Sequence, residues 1–408
     1  MQRYDTYKDS GVKWLGEIPS HWEVKRLASY FTERRVKVSD KEYEPLSVTK
    51  LGVFPQWENV AKTNDGDNRK LVKKGDFVIN SRSDRKGSSG VADRDGSVSL
   101  INIVLKPRNT IRADFSNYLL KSYKFIEEYY RNGRGIVADL WTTRYDEMKM
   151  IKLAVPPIEE QTAIAAYLDT ITSKIDAAIA QQQKMIDLLN ERKQIIINRA
   201  VTKGLNPNAK MKDSGVEWIG KVPEHWQLLP YRYLFYNLDK LRMPITADQR
   251  SRNNPQYDYY GASGVIDKID YYNVDDRVLL IGEDGANLLM RNLPLIYKAE
   301  GKFWVNNHAH ILKPIRDDYD YLAYVMEAAD YTLFITGSAQ PKLSQANLNC
   351  VKLPIPLLEE QKAIVDYLSK RTSKIDEAIK ESNNMISLLQ ERKQIIINEV
   401  VTGKVKVG

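Results

Sequence analysis

Between residues 158 and 202, apolar side chains recur at Ile164, Leu168, Ile171, Ile175, Ala178, Met185, Leu189 and Ile196, at spacings of three, four and seven. Such spacing predicts a long helix with one coiled-coil-like seam. Pro156-Pro157 followed by Glu159-Glu160-Gln161 marks its start, because proline suits the position before the first turn and carboxylates suit the positive end of the helix dipole. Gly204 is a natural stop. The pattern returns from Pro356 through Glu359-Glu360-Gln361, Ile364, Leu368, Ile375, Ala378, Met385, Leu389 and Ile396 to Gly403. About 44 residues at 1.5 Å each make a rod of roughly 66 Å. Neither rod can bury its stripe alone, so the two are expected to pack on each other, antiparallel if the halves are related by a two-fold-like arrangement.

The intervening blocks have a different period. Residues 43–48, 75–80, 97–105, 277–281 and 302–305 are short, rich in β-branched residues and bounded by Gly, Asp and Asn, which predicts strands. Residues 115–130 and 319–332 have helical spacing. Each block is therefore α+β, with polar, Gly-rich loops.

A search for internal repeats shows how these parts are ordered. Lys8-Asp9-Ser10-Gly11-Val12-Lys13-Trp14-Leu15-Gly16-Glu17-Ile18-Pro19-Ser20-His21-Trp22 returns 204 residues later, ending Pro223-Glu224-His225-Trp226. Positions 152–202 and 352–402 agree at 31 of 51 places, including Glu191 to Asn198 against Glu391 to Asn398. Between these repeats, residues 30–148 and 235–348 resemble each other only faintly, as in Val104-Leu105-Lys106-Pro107 against Ile311-Leu312-Lys313-Pro314. A duplication that keeps its connectors while its blocks diverge implies one framework carrying two different readers.

Composition narrows the partner class. The chain has 408 residues, 43% apolar and 28% charged, with one cysteine, Cys350, which excludes an intrachain disulfide and a zinc finger and fits a reducing cytoplasm. No apolar run is long enough to cross a membrane, and the polar start Met1–Ser10 argues against a secretory signal. Of the net charge of +8, residues 1–150 carry the excess, with 28 Lys+Arg against 21 Asp+Glu, whereas residues 206–350 hold 16 against 18. The basic first block points to an anionic partner.

Several chemistries fail on spacing or context. Asn254-Pro255-Gln256-Tyr257 departs from the Asn/Asp-Pro-Pro-Tyr/Phe motif of amino methyltransferases, and no strand followed by a Gly-x-Gly turn accompanies it. Asp139 with Glu147-Met148-Lys149 mimics a nuclease metal site, yet the aligned Asn347-Leu348-Asn349 could not bind the metal. His308 and His310 would share a strand face without a third soft ligand. No Walker motif is present.

The doubled order Gly-Val-x-Trp-Leu/Ile-Gly-x-Ile/Val-Pro-x-His-Trp, variable block, Pro-x-x-Glu-Glu-Gln helix resembles the specificity (S) subunit of Type I restriction–modification enzymes over essentially the whole chain. Val48 to Val53, Gly75 to Asn80, Tyr260 to Ile266 and Gly337 to Leu343 are similar to pieces of that family's target recognition domains. The resemblance implies an α+β fold with two target recognition domains related by a pseudo-two-fold and separated by two helices packed as an antiparallel coiled coil. The segments would be 1–155, 156–205, 206–355 and 356–408. It implies a non-catalytic, cytoplasmic chain that binds no cofactor itself. Its partners would be double-stranded DNA, two methyltransferase (M) subunits holding S-adenosylmethionine, and two restriction (R) subunits using ATP and Mg, for adenine methylation and DNA cleavage. The slightly acidic second block departs from the expectation for a DNA reader. A structural adaptor whose blocks bind protein is the competing reading.

Reading DNA sequence needs side chains at base edges and cations on phosphates. The candidates are Arg82, Arg85, Lys86 and Arg134 in the first block, and Arg252, Tyr260, Ser263, Arg291, His308, Gln340 and Lys342 in the second. Ile164, Leu168, Ile175, Leu189 and Ile196, with Ile364, Leu368, Ile375, Leu389 and Ile396, are the candidates for helix packing or partner binding. No catalytic or metal residue is assigned.

Overall fold

The structure is a computed structural model that describes residues 2–56, 66–135, 141–250, 255–337 and 340–407. Asp139, Arg252, Asn253 and Asn254 lie outside the described residues. Among those described, the α-helices are α1 (Ala113–Lys121), α2 (Tyr123–Arg131), α3 (Tyr145–Met148), α4 (Ile158–Lys203), α5 (Gly285–Met290), α6 (Tyr319–Ala328), α7 (Gln345–Leu348) and α8 (Leu358–Val401). The chain forms two compact units, the first from Met1–Gln183 with Asn383–Gly408 and the second from Lys184–Ser382. Each long helix thus contributes its beginning to one unit and its end to the other.

In the first unit, a four-stranded antiparallel sheet runs in the order Ser89–Val91, Phe77–Asn80, Asn102–Pro107, Phe31–Glu33. A three-stranded sheet of Gly96–Val98, Arg69–Val72 and Lys37–Val38 accompanies it. In the second unit, a six-stranded sheet has at its centre Val274–Gly282 between Ala309–Pro314 and Ile296–Val305. The variable blocks are framed alike. Glu23–Arg26 pairs antiparallel with Lys152–Val155, and Gln227–Pro230 pairs with Lys352–Ile355, so each block opens and closes on one ribbon that leads into a long helix.

The helices pack antiparallel within each unit. In the first, Ile164, Leu168 and Ile175 near the start of α4 share a core with Ile396, Ile397, Val400 and Val401 at the end of α8. In the second, Ile364 and Leu368 share a core with Ile197, Ala200 and Val201. Lys393 reaches Asp176 at 2.7 Å in the first unit, and Lys193 reaches Asp376 at 2.6 Å in the second. Ile375 is also buried, while Leu189, Ile196 and Leu389 are half-buried.

Three expectations need correction. Met185 does not lie in the seam: it is 51% exposed, and Ile186 takes the place at 7%. Counted from Ile175 at 100° per residue, Met185 lands about 80° off the stripe and Ile186 about 20° off it. Met385 is exposed in the same way. The helix expected over 115–130 is two, α1 and α2, because the Ser122 hydroxyl donates to the Leu119 carbonyl at 2.7 Å and accepts from the Phe125 amide, capping a new helix. The strand expected over 97–105 breaks at Ser99, whose carbonyl takes the Asn102 amide in a turn.

Candidate nucleic-acid interface

The repeated motifs prove to be two sides of one joint. Trp22 is fully buried, so its indole N–H needs an acceptor. It donates to Glu160 at 3.1 Å, and the same carboxylate takes Tyr4 at 2.5 Å and lies 2.7 Å from His21 Nε2. Burial first, and then Glu160, push the Tyr4 hydroxyl well above its ordinary range. In the second unit Trp226 and His225 meet Glu360 at 3.0 and 2.9 Å. The neighbouring glutamine is buried in both copies: Gln161 accepts from the Arg112 amide and donates to the Pro156 carbonyl, and Gln361 does the same with Asp318 and Pro356. The joint closes on the end of the other helix. Gly403 (φ +70) faces Trp22 so closely that a Cβ would strike Pro19, and Gly204 (φ +70) faces Trp226. His-Trp, Glu-Glu-Gln and the terminal glycine therefore recur because they hold one another.

Each unit also carries a three-segment knot just beyond its central strand. In the first unit Ser81 donates its amide to Ile101, Thr143 to Ser81, and Ser83 to Trp141, at 3.2, 3.0 and 3.0 Å. In the second, Glu283 donates to His308, Leu343 to Glu283, and Gly285 to Pro341, at 2.8, 2.9 and 2.7 Å. An isolated bridge joins Arg82 to Thr142 in one and Asp284 to Lys342 in the other. The backbone is thus the same, bond for bond, while Arg82 stands where Asp284 stands, Thr142 where Lys342 stands, and Ile101 where His308 stands.

The first knot gathers the cations assigned to that block. Arg82 is exposed, with its amide held by Asn80 Oδ1 at 3.0 Å. Arg134 bridges to the same Thr142, and its side chain is 83% exposed, 3.4 Å from Glu147. Arg85 lies 3.6 Å from Asp84, and Lys86 lies 2.6 Å from Glu127 and 5.8 Å from the centre of the Tyr130 ring. Tyr130 donates to the Arg82 carbonyl at 3.2 Å, and burial pushes its hydroxyl up to about 12. Glu147 also takes the Arg144 amide, while Lys149 turns to Asp146, so no nuclease-like grouping forms from these two.

The second knot sorts its candidates differently. His308 lies 3.0 Å from Asp284, and Lys342 lies 3.4 Å from Glu283, which also holds Arg242 at 2.7 Å. Burial would raise the Glu283 carboxyl, but Arg242 leaves it below its usual range. Ser263 is exposed on the hairpin turn beside the knot, where Gly282 leaves no room for a side chain against the Ala262 carbonyl. Gln340 is exposed next to Lys342. Two candidates have structural roles instead. Tyr260 is 9% exposed and packs edge-on to Phe303. Arg291 donates to the Glu327 and Ala329 carbonyls, closing the end of α6. His310 does not share a face with His308: it is buried, its Nδ1 2.6 Å from Asp239 and its Nε2 donating to the Leu343 carbonyl at 2.7 Å. Among the described residues no group of His, Cys, Asp and Glu could hold a metal ion.

Sequence reasoning missed Thr142, Glu283 and Asp284. The signal was present for Thr142, which stands 200 residues before Lys342, the same offset as the helix repeat. Glu283 and Asp284 carry no such signal, because a carboxylate in a Gly-bounded turn does not by itself point to DNA.

Comparison with known proteins agrees with this architecture. Residues 19–186 and 235–387 match the type I restriction modification DNA specificity domain. The chain is 24% identical to a putative type I restriction enzyme MjaX specificity subunit of Methanocaldococcus jannaschii, covering 98% of each chain. It is also 24% identical to the MjaVIII specificity subunit of the same organism, over 98% of this chain and 97% of that one. A solved chain from work on complex assembly and conformational transition of the type I R-M system has the same fold, with a TM-score of 0.69 at 14% identity over 95% of this chain and 99% of that one. With two specificity domains that together span most of its length, the chain belongs to the family of type I restriction–modification DNA specificity subunits.

Proposed function

We propose that each unit reads one half of an asymmetric, bipartite site on double-stranded DNA, and that the chain itself performs no chemistry. The observation that carries this is the shared knot: one backbone arrangement that presents Arg82 and Thr142 in one unit and Asp284, His308 and Lys342 in the other. A common frame with unlike side chains is what two independent readers of different base sequences require. The cations of the first unit suit phosphates and guanine edges. The long helices set the distance between the half-sites.

The same helices would dock the partners. Met185, Leu188 and Ile195 are exposed on α4, and Met385, Leu388 and Ile395 are exposed at the matching places on α8. Two like stripes suit two like subunits, here the methyltransferase chains, which bring S-adenosylmethionine. Restriction subunits with ATP and Mg would join through them. The complex would work in the cytoplasm; among the described residues no helix is long and apolar enough to cross a membrane.

The test is an exchange. Replacing residues 25–150 with the block of another family member should change one half of the methylated motif and leave the other. If both halves changed, or neither did, independent reading would be wrong. The isolated chain should shift duplex DNA in a salt-dependent way; an adaptor that binds only protein would not. It should show no methyl transfer, cleavage or ATP hydrolysis.

A further inference from the structure

Matched bond for bond, the knots place an exposed arginine and a half-exposed carboxylate at the same point, and the carboxylate needs an explanation. A negative charge on a face that meets phosphates is unfavourable unless it does something there. Its structural duties are few. Asp284 stands at the N-cap of α5, yet its side chain makes no capping hydrogen bond. Its neighbour is His308, 3.0 Å away, and the two side chains are 44% and 45% exposed, where such a contact contributes little. Glu283, one residue earlier, is the contrast: it is 19% exposed and held by Arg242 and Lys342. Glu283 builds the knot, and Asp284 points its carboxylate outward beside His308.

We propose that Asp284 is a specificity-determining residue of the second unit, its carboxylate accepting a hydrogen bond from the exocyclic amino group of a cytosine, at the place where Arg82 in the first unit donates to a guanine. The inference rests on the reading of the chain as a bipartite DNA reader. A carboxylate is an acceptor only, so in the major groove it selects an amino group and is repelled by the O6 and N7 of guanine, the O4 of thymine and the N7 that adenine presents beside its own amino group, which leaves cytosine. His308, 3.0 Å away, stands half-exposed beside the carboxylate. One of the carboxylates of the slightly acidic block 206–350 then belongs to recognition.

The experiment uses the full chain, alone and with its methyltransferase subunits, against a pool of duplexes randomised at the site. Wild type, Asp284→Asn, Asp284→Ala and Arg82→Gln are compared. Wild type should select cytosine at one position of the second half. Asp284→Asn, which keeps the shape but adds donors, should lose that preference about tenfold and gain adenine, because an amide pairs with adenine N6 and N7. Asp284→Ala should leave the position degenerate. Both should keep every base of the first half, while Arg82→Gln should change the first half alone. Three results overturn the proposal: an unchanged second half in both Asp284 variants, uniformly tighter binding with no change in preference (which would mean that the carboxylate merely repels DNA), or uniformly weaker binding from a structural fault. A wild type that selects no motif would overturn the functional reading itself, and this proposal with it.

Discussion

The Glu160 carboxylate serves Tyr4, His21 and Trp22 together, so removing it leaves a fully buried indole N–H without an acceptor. Glu160→Ala should lower stability by about 1–3 kcal/mol, read as a shift in urea midpoint, and Glu360→Ala should do the same in the second unit. Titration distinguishes the two knots. Burial raises the Tyr130 hydroxyl to about 12, so its contribution is whole below the ordinary tyrosine value, about 10, and is lost as pH rises through about 12. Burial would raise Asp239 as well, but the hydrogen bond and charge of His310 hold it below the usual carboxylate range, so its contribution is whole above about 3.9 and is lost as pH falls through its lower folded value. Denaturation followed against pH should therefore lose part of its alkaline slope in Tyr130→Phe and part of its acid slope in Asp239→Asn. The sequence alone marked Arg82, Arg134, His308 and Lys342 as candidates, and the structure brings each into a knot. It gave no hint that Arg291 would cap a helix, because that role depends on carbonyls more than 30 residues away.

Among the elements, the long helices were legible because period, caps and repetition all agreed, and each end fell within a few residues of its expected place. What escaped was local competition: a serine hydroxyl that restarts a helix, or a drift of the seam from Met185 to Ile186. Ser122→Ala should cost about 1 kcal/mol by removing the α2 cap, measured as a lower denaturation midpoint. Leu368→Ala should cost about 2–5 kcal/mol, since Leu368 is fully buried in the second unit. Leu388→Asp, at a side chain 60% exposed, should leave the midpoint nearly unchanged while abolishing co-purification with a methyltransferase subunit. Loss of stability in Leu388→Asp without loss of the partner would show that the stripe packs elsewhere. The knots could not have been found from periodicity, because each unites segments up to about 60 residues apart through backbone bonds that carry no sequence signature.

For the molecule as a whole, the decisive feature is that neither unit is complete within one half of the chain. The first unit buries Ile396, Ile397, Val400 and Val401, which follow the second block. Residues 184–203 repeat that closing segment, including Ile197, Asn198, Val201 and Thr202. A chain ending at Gly204 should therefore lend its own segment to a second copy and sediment as a pair, and its DNA target should become symmetric. A well-folded single copy would count against this. The identical run at 191–198 and 391–398 lies beyond each variable block. An in-frame crossover there between two genes of this kind would hand over a whole variable block and leave the recipient's own closing segment in place to complete it. Inheritance can then renew what such a protein recognises by shuffling whole domains in one event.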